Sequence, residues 1–333
     1  MKIVNAHVHM IELEKMVQQG LALPGGISVL ADLKSSLPLL LEDVLLGQMD
    51  EAGIGRSILY AVEAPIVYAS NEYVAELVRR HPDRLMGFAS VNPLRPDAPA
   101  VLEHAVRELG LRGLKLHPPL QDFVINDKAV YPLYKKACDL NIPVVFHVGT
   151  TPFGSLCRLS RANPLLVDDV AVDFPDLRIL LTHLGTLWHN ESFMVVEKNP
   201  NVFIDTAAYL YEIADILTMN LLRRIGPEKV IFGTDYPMPY AGSVHRMRDF
   251  VDCICTLGLD EQVLHGIFHD NVQILLTGER PAQETISAAE LAGTLAHFAS
   301  KATWKGGGGR DVPGTNQESS HPQAVSPHRP LPQ

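Results

Sequence analysis

The chain is short of cysteine, of long apolar runs and of positive charge, and each shortage removes a class of protein. Cys138, Cys157, Cys253 and Cys255 are the only thiols in 333 residues. They lack the spacing of a zinc finger or a redox Cys-x-x-Cys motif, so reduced thiols in a cytoplasmic setting are expected. No uncharged stretch approaches the roughly 20 residues of a membrane-spanning helix. The opening segment, Lys2 to His9, is too short and ends too polar to serve as the apolar core of a signal peptide. A formal charge of −10 argues against nucleic acid or an anionic membrane surface as a partner. A glycine-rich Gly-x-Gly-x-x-Gly loop is also missing after the first apolar run, which weakens a dinucleotide-binding reading. What remains is a soluble chain, 47% hydrophobic and so able to bury a large core, whose partner is a small molecule.

From residue 1 to about 276, short apolar runs alternate with longer amphipathic ones. The runs Ile3–His7, Ser57–Ala61, Leu85–Val91, Gly113–His117, Val144–Val148, Ile179–His183, Val202–Thr206 and Val230–Asp235 have the length and composition of buried strands. Each is followed by helical sequence: Leu41–Ala52, Asn71–Arg80, Ala98–Leu109, Lys128–Leu140, Leu165–Phe174, His189–Lys198, Tyr209–Ile225, and the pair Val244–Thr256 and Glu261–Leu276. Eight such repeats predict an α/β fold, a (β/α)8 TIM barrel, rather than an open sheet. The long connection from Ile11 to about Leu40 has the length of a lid or substrate wall. The barrel domain is expected over residues 1–277 and a helical extension over 278–304, where Ser287 and Glu290 form a capping box ahead of Leu291, Leu295, Phe298 and Ala302. Residues 305–333 open on Gly306-Gly307-Gly308-Gly309 and hold almost no large apolar side chain, the composition of a disordered tail.

In such a barrel the reactive groups sit at the C-terminal ends of the strands. That rule selects His7 and His9 on strand one, Lys115 and His117 on strand four, His147 on strand five, His183 on strand six and Asp235 on strand eight. Residues two apart on a strand project from one face, so His7 and His9 can offer two neutral nitrogens to one divalent ion. By the same alternation Lys115 and His117 face away from Leu114 and Leu116, toward the barrel interior. Taken singly, a strand-end histidine is more often a hydrogen-bonded core residue than a ligand. Four histidines and an aspartate at the ends of four strands point to a metal centre.

The opening His-x-His, the Lys-Leu-His-Pro run, the strand-five His, the Thr-His-x-Gly run and the Phe-Gly-Thr-Asp-Tyr-Pro run occur in an order that resembles the amidohydrolase superfamily, in the branch of aminocarboxymuconate semialdehyde decarboxylase. The likeness spans about Met1 to Leu276. It implies a distorted β/α barrel with a divalent metal, most often zinc, about one per chain. It also implies that His7, His9, His147 and Asp235 are ligands, with His183 beside the water that the metal activates and Asp235 able to take its proton. Lys115, with His117, is left two roles: a carboxylated bridge between two metals, or an ammonium that neutralises a substrate carboxylate. The expected activity is a metal-dependent hydrolase acting on a small carboxylated lactone, amide or cyclic substrate. The alternative is a non-oxidative decarboxylase or hydratase of an unsaturated or aromatic acid. His147-Val148-Gly149-Thr150-Thr151-Pro152 departs from the decarboxylase pattern, which carries a Trp close behind that histidine. Arg158, Arg161 and Trp188 are further candidates for substrate recognition, and a homodimer would be in keeping with the related enzymes.

Overall fold

A computed structural model describes residues 2–12, 15, 37–65, 67–151, 153–237 and 244–279. The loop core 16–36, the helical extension and the tail expected beyond residue 279 lie outside the described residues. All eight expected strands form: β1 (Ile3–His9), β2 (Ile54–Tyr60), β3 (Leu85–Phe88), β4 (Leu114–Leu116), β5 (Val144–Phe146), β6 (Ile179–Leu181), β7 (Val202–Asp205) and β8 (Val230–Ile231). They pair in parallel as one run of three, β1-β2-β3, and one of five, β4 to β8. Backbone bonds close both seams. Ala89 N donates to Gly113 O and Lys115 N to Ala89 O, each at 2.7 Å, joining β3 to β4. Ala6 N to Phe232 O at 2.8 Å, Asp235 N to His7 O at 3.0 Å and His9 N to Tyr236 O at 2.7 Å join β8 to β1. The result is a distorted (β/α)8 barrel.

The helices follow as α1 (Glu42–Ala52), α2 (Asn71–Arg80), α3 (Ala98–Arg107), α4 (Tyr131–Asp139), α5 (Leu165–Asp173), α6 (His189–Lys198), α7 (Leu210–Ile216), α8 (Met219–Ile225), α9 (Met247–Cys255), α10 (Glu261–His265) and α11 (Asn271–Thr277). Two of the expected helices are interrupted. Residues 209–225 split at Leu217, and the Thr218 hydroxyl caps the second piece by accepting from Leu221 N. Residues 261–276 contain a π turn at Gly266–Asp270 between α10 and α11. A small two-stranded ribbon, Val62–Glu63 with Tyr68–Ala69, also lies outside the sequence reading.

Apolar side chains fill two layers. Val4, Ala6, Ile58, Tyr60, Met86, Phe88, Val145, Leu180, Phe203 and Ile231 pack inside the barrel. Ile3, Val8, Leu59, Leu114, Leu116, Val144, Phe146, Ile179 and Ile204 pack between the strands and the helices. Along β4 the alternation runs as the sequence predicts, with Leu114 and Leu116 outside and Lys115 over the ring of inward-facing Tyr60. Along β1 it does not. Ile3 faces out and Val4 and Ala6 face in, so strict alternation would turn His7 and His9 outward. A break in the β1–β2 register between Asn5 and Val8 corrects this, and both imidazoles contact Tyr60. A bulge of this kind re-aims side chains. Among the described residues no helix is long and apolar enough to cross a membrane, and all four cysteines are free thiols.

Candidate metal centre

The strand ends converge on one buried cluster. Three ligand atoms form a nearly equilateral triangle: His7 Nε2 lies 3.1 Å from His9 Nε2 and 3.1 Å from Asp235 Oδ1, and His9 Nε2 lies 3.2 Å from Asp235 Oδ1. Tetrahedral bonds of 2.0–2.1 Å to one zinc ion would set ligands about 3.3 Å apart, close to these edges. The backbone pays strain to build this site. His183 and Asp235 both hold left-handed φ angles, 63° and 54°, which non-glycine residues adopt at a cost. Gly233 is needed two residues before Asp235, because a Cβ there would sit 2.9 Å from His7 Cβ.

Proton positions follow from the partners. Asp205, at the end of β7 and fully buried, accepts from His7 Nδ1 at 2.8 Å, from His183 N at 2.7 Å and from Ala207 N at 3.1 Å. Burial opposes its ionisation, yet His7 and the bonds to His183 hold its pKa below the ordinary carboxylate value. With Nδ1–H committed to Asp205, neutral His7 presents the Nε2 lone pair to Asp235 and His9. Burial pulls the His7 pKa down, but Asp205 and Asp235 together carry it above its usual value. Burial lowers His9 to about 4, so it stays neutral. Asp235 is held ionised well below the usual range, chiefly by His7 against the effect of burial. Two imidazole nitrogens and a carboxylate oxygen therefore meet at a point that calls for positive charge, which a proton on His7 or a cation can supply.

A second convergence lies beside the first. Carbonyl groups only accept, so His147 Nε2, 3.1 Å from Thr150 O, and His183 Nδ1, against Ala207 O, must be N–H donors. The remaining nitrogens, His147 Nδ1 and His183 Nε2, face each other at 3.0 Å. Burial lowers both pKa values, so both rings are neutral and the contact opposes two lone pairs. This too fits a shared cation or proton. Among the described residues of this cluster, the groups of three ligand atoms within 4.8 Å are His7, His9, Asp235 and His7, His183, Asp205. His147 joins neither and pairs with His183.

Lys115 is the cation at the floor of this cluster. It is 2% exposed, its Nζ has no hydrogen-bond partner, and it stands 5.1 Å over the Tyr60 ring, whose hydroxyl is also buried and unbonded. Burial lowers its pKa to about 8 despite Asp205 and Asp235. His117 stacks on His147, with centroids 3.9 Å apart, and its Nδ1 accepts from Leu120 N at 3.3 Å, capping the short turn Pro118–Gln121. Arg158 and Arg161 both bind Asp122, and half-buried Trp188 precedes α6. Sequence reasoning passed over three contributors. Asp205 carried the same signal as the others, a polar residue ending an apolar strand. Tyr60 and Asn5 carried none; the Asn5 amide donates to Thr234 Oγ1 at 2.8 Å and ties β1 to β8 beside Asp235.

The sequence profile of the family described as Amidohydrolase matches residues 4–273. A 2-keto-4-carboxy-3-hexenedioate hydratase from Sphingobium sp. (strain NBRC 103272 / SYK-6) is 29% identical over 256 residues, covering 64% of this chain and 72% of that protein. A gamma-resorcylate decarboxylase from Rhodococcus jostii (strain RHA1) is 27% identical over 259 residues, covering 59% and 77%. Among solved structures, an uncharacterised TIM-barrel protein from Bordetella bronchiseptica matches with a TM-score of 0.64 at 21% identity, covering 84% of this chain and 100% of that one. A 5-carboxyvanillate decarboxylase from Novosphingobium aromaticivorans, with bound manganese, gives 0.63 at 17% identity, covering 83% and 97%. The strand-end constellation, the barrel and the profile match lead to one conclusion: the chain belongs to the amidohydrolase family.

Proposed function

We propose that the protein is a metal-dependent lyase that releases carbon dioxide, without oxidation, from an unsaturated or aromatic carboxylic acid. The observation that carries this reading is the buried, unpartnered Lys115 ammonium beside the metal-binding triangle. A lone cation in a dry site is suited to neutralising a carboxylate brought in by substrate. The relatives' names point the same way, toward decarboxylases and a hydratase. The hydrolase expected from the sequence is the less supported reading.

His7, His9 and Asp235 would hold the metal, with zinc our choice for a nitrogen and oxygen donor set; His147, the fourth expected ligand, would join them only by leaving His183. When bound, the metal would act as a Lewis acid on a substrate oxygen. Asp205 fixes the His7 tautomer, and Lys115 with the Tyr60 hydroxyl anchors a substrate carboxylate. Asp235, ionised, accepts a proton from a substrate hydroxyl. His183, its Nδ1–H held by Ala207, takes up at Nε2 the proton that Asp235 has accepted and passes it to the carbon that the carboxylate leaves. Loss of carbon dioxide leaves an electron pair on carbon, and that proton quenches it.

A hydratase is the second reading, favoured by the 29% identical relative. Protein loaded with Zn2+ or Mn2+ should be incubated with a panel of aromatic and unsaturated di- and tricarboxylic acids, with headspace carbon dioxide and product mass recorded. Chelator-sensitive carbon dioxide release is the expected result. A gain of one water with loss of conjugation and no carbon dioxide would replace the decarboxylase by the hydratase. Ring opening of saturated lactones alone would restore the hydrolase.

A further inference from the structure

A second set of metal-binding side chains lies at the other end of the barrel. In an α-helix of 3.6 residues per turn, a residue five positions on points about 140° away. The i→i+5 bonding of a π turn brings it back over its starting point. The π turn at Gly266–Asp270 does this for Asp270 and His265, whose Oδ2 and Nδ1 are 3.0 Å apart. His269 Nδ1 meets the other oxygen of Asp270 at 2.9 Å. All three ligand atoms lie within 4.8 Å of one another. His265 Nε2 is buried without a partner, so Nδ1 is the nitrogen available to a ligand. His269 and Asp270 are 34% and 37% exposed, which gives an ion access and leaves room for water as a further ligand.

We propose that His265, His269 and Asp270 form a second divalent-cation site, suited to Zn2+ and similar ions that take imidazole nitrogen. Its position assigns it a structural role. The neighbouring Asn271 amide donates to the carbonyl groups of Pro227 at 2.8 Å and Val230 at 2.7 Å, and Val230 opens β8. The site therefore sits at the N-terminal end of the barrel, the face that serves stability rather than chemistry. The same turn holds β8 directly, since Ile267 O accepts from Phe232 N at 3.0 Å and Phe268 packs on Phe232 with centroids 5.1 Å apart. A bound ion would lock the π turn against that strand.

The test is equilibrium dialysis of the tag-free full chain against micromolar Zn2+, followed by elemental analysis, for wild type, His269→Ala and Asp270→Asn. Wild type should hold one more Zn2+ per chain than either variant, and Zn2+ should raise its Tm further. Asp270→Asn preserves side-chain size, so a folding failure of His269→Ala leaves the comparison intact. Equal stoichiometry in wild type and Asp270→Asn would overturn the proposal and leave Asp270 as a carboxylate clasping two imidazole N–H groups.

Discussion

Replacing Lys115 by Met should make the protein more stable and nearly inactive. The Lys115 ammonium is buried, unbonded and held only by the face of Tyr60. Burial outweighs the attraction of Asp205 and Asp235 and takes its pKa from 10.5 to about 8. That fall corresponds to a folding cost of about 3 kcal/mol at neutral pH, as an order of magnitude. Methionine fills a similar space without a charge, so the variant should gain about 1–3 kcal/mol. The sign follows from proton counts. Because the folded pKa is the lower one, the unfolded chain holds more proton between about 8 and 10.5, and wild-type stability rises with pH across that window. The variant should lose that slope. Urea denaturation of metal-free protein at about pH 7 and about pH 10 reads both effects. The variant's turnover on whichever acid the panel identifies should fall by about 100-fold or more, the scale expected when a buried charged contact to substrate is lost. A variant less stable than wild type at neutral pH would refute the uncompensated-charge argument. One that also lost bound metal would point to the carboxylated-lysine bridge.

Asp205→Asn should weaken divalent-metal binding about 10- to 100-fold, because the amide no longer enforces the His7 tautomer that aims Nε2 at Asp235. Competition with a chromophoric chelator measures this, and an affinity within twofold of wild type would remove Asp205 from the site. Gly233→Ala should cost about 1–3 kcal/mol, since its Cβ would meet His7 Cβ at 2.9 Å and neither atom is on a flexible end. Unchanged denaturation would show that β8 can shift.

Much of the site was legible because the barrel rule is local in its inputs. Where a strand ends, and what residue ends it, can be read from composition, and this brought His7, His9, Lys115, His117, His147, His183 and Asp235 to one mouth. Their pairing was not legible. His147 faces His183 rather than the His7, His9, Asp235 triangle, because Thr150 O holds the other edge of its ring. The choice between hydrolase and lyase was also beyond these residues, since one ligand set serves water addition and loss of carbon dioxide alike. Helix interruptions escaped for a similar reason. The π turn at Gly266–Asp270 is set by contacts with β8 and β1, and its helical periodicity looks continuous in sequence.

The sequence by itself determined the eight-fold alternation and the residue types at each strand end, because burial periodicity and β-branched runs are properties of neighbouring residues. Only the tertiary structure decided which way those residues point. The register break after Asn5 turns His7 and His9 into the barrel, and it exists through bonds to β2 and to the segment at the end of β8, more than 50 and more than 220 residues away. Asp205 became the partner of His7, and Tyr60 the cover of Lys115, through the same closure. A strand's inward face is a relation between strands, and no window of one strand contains it.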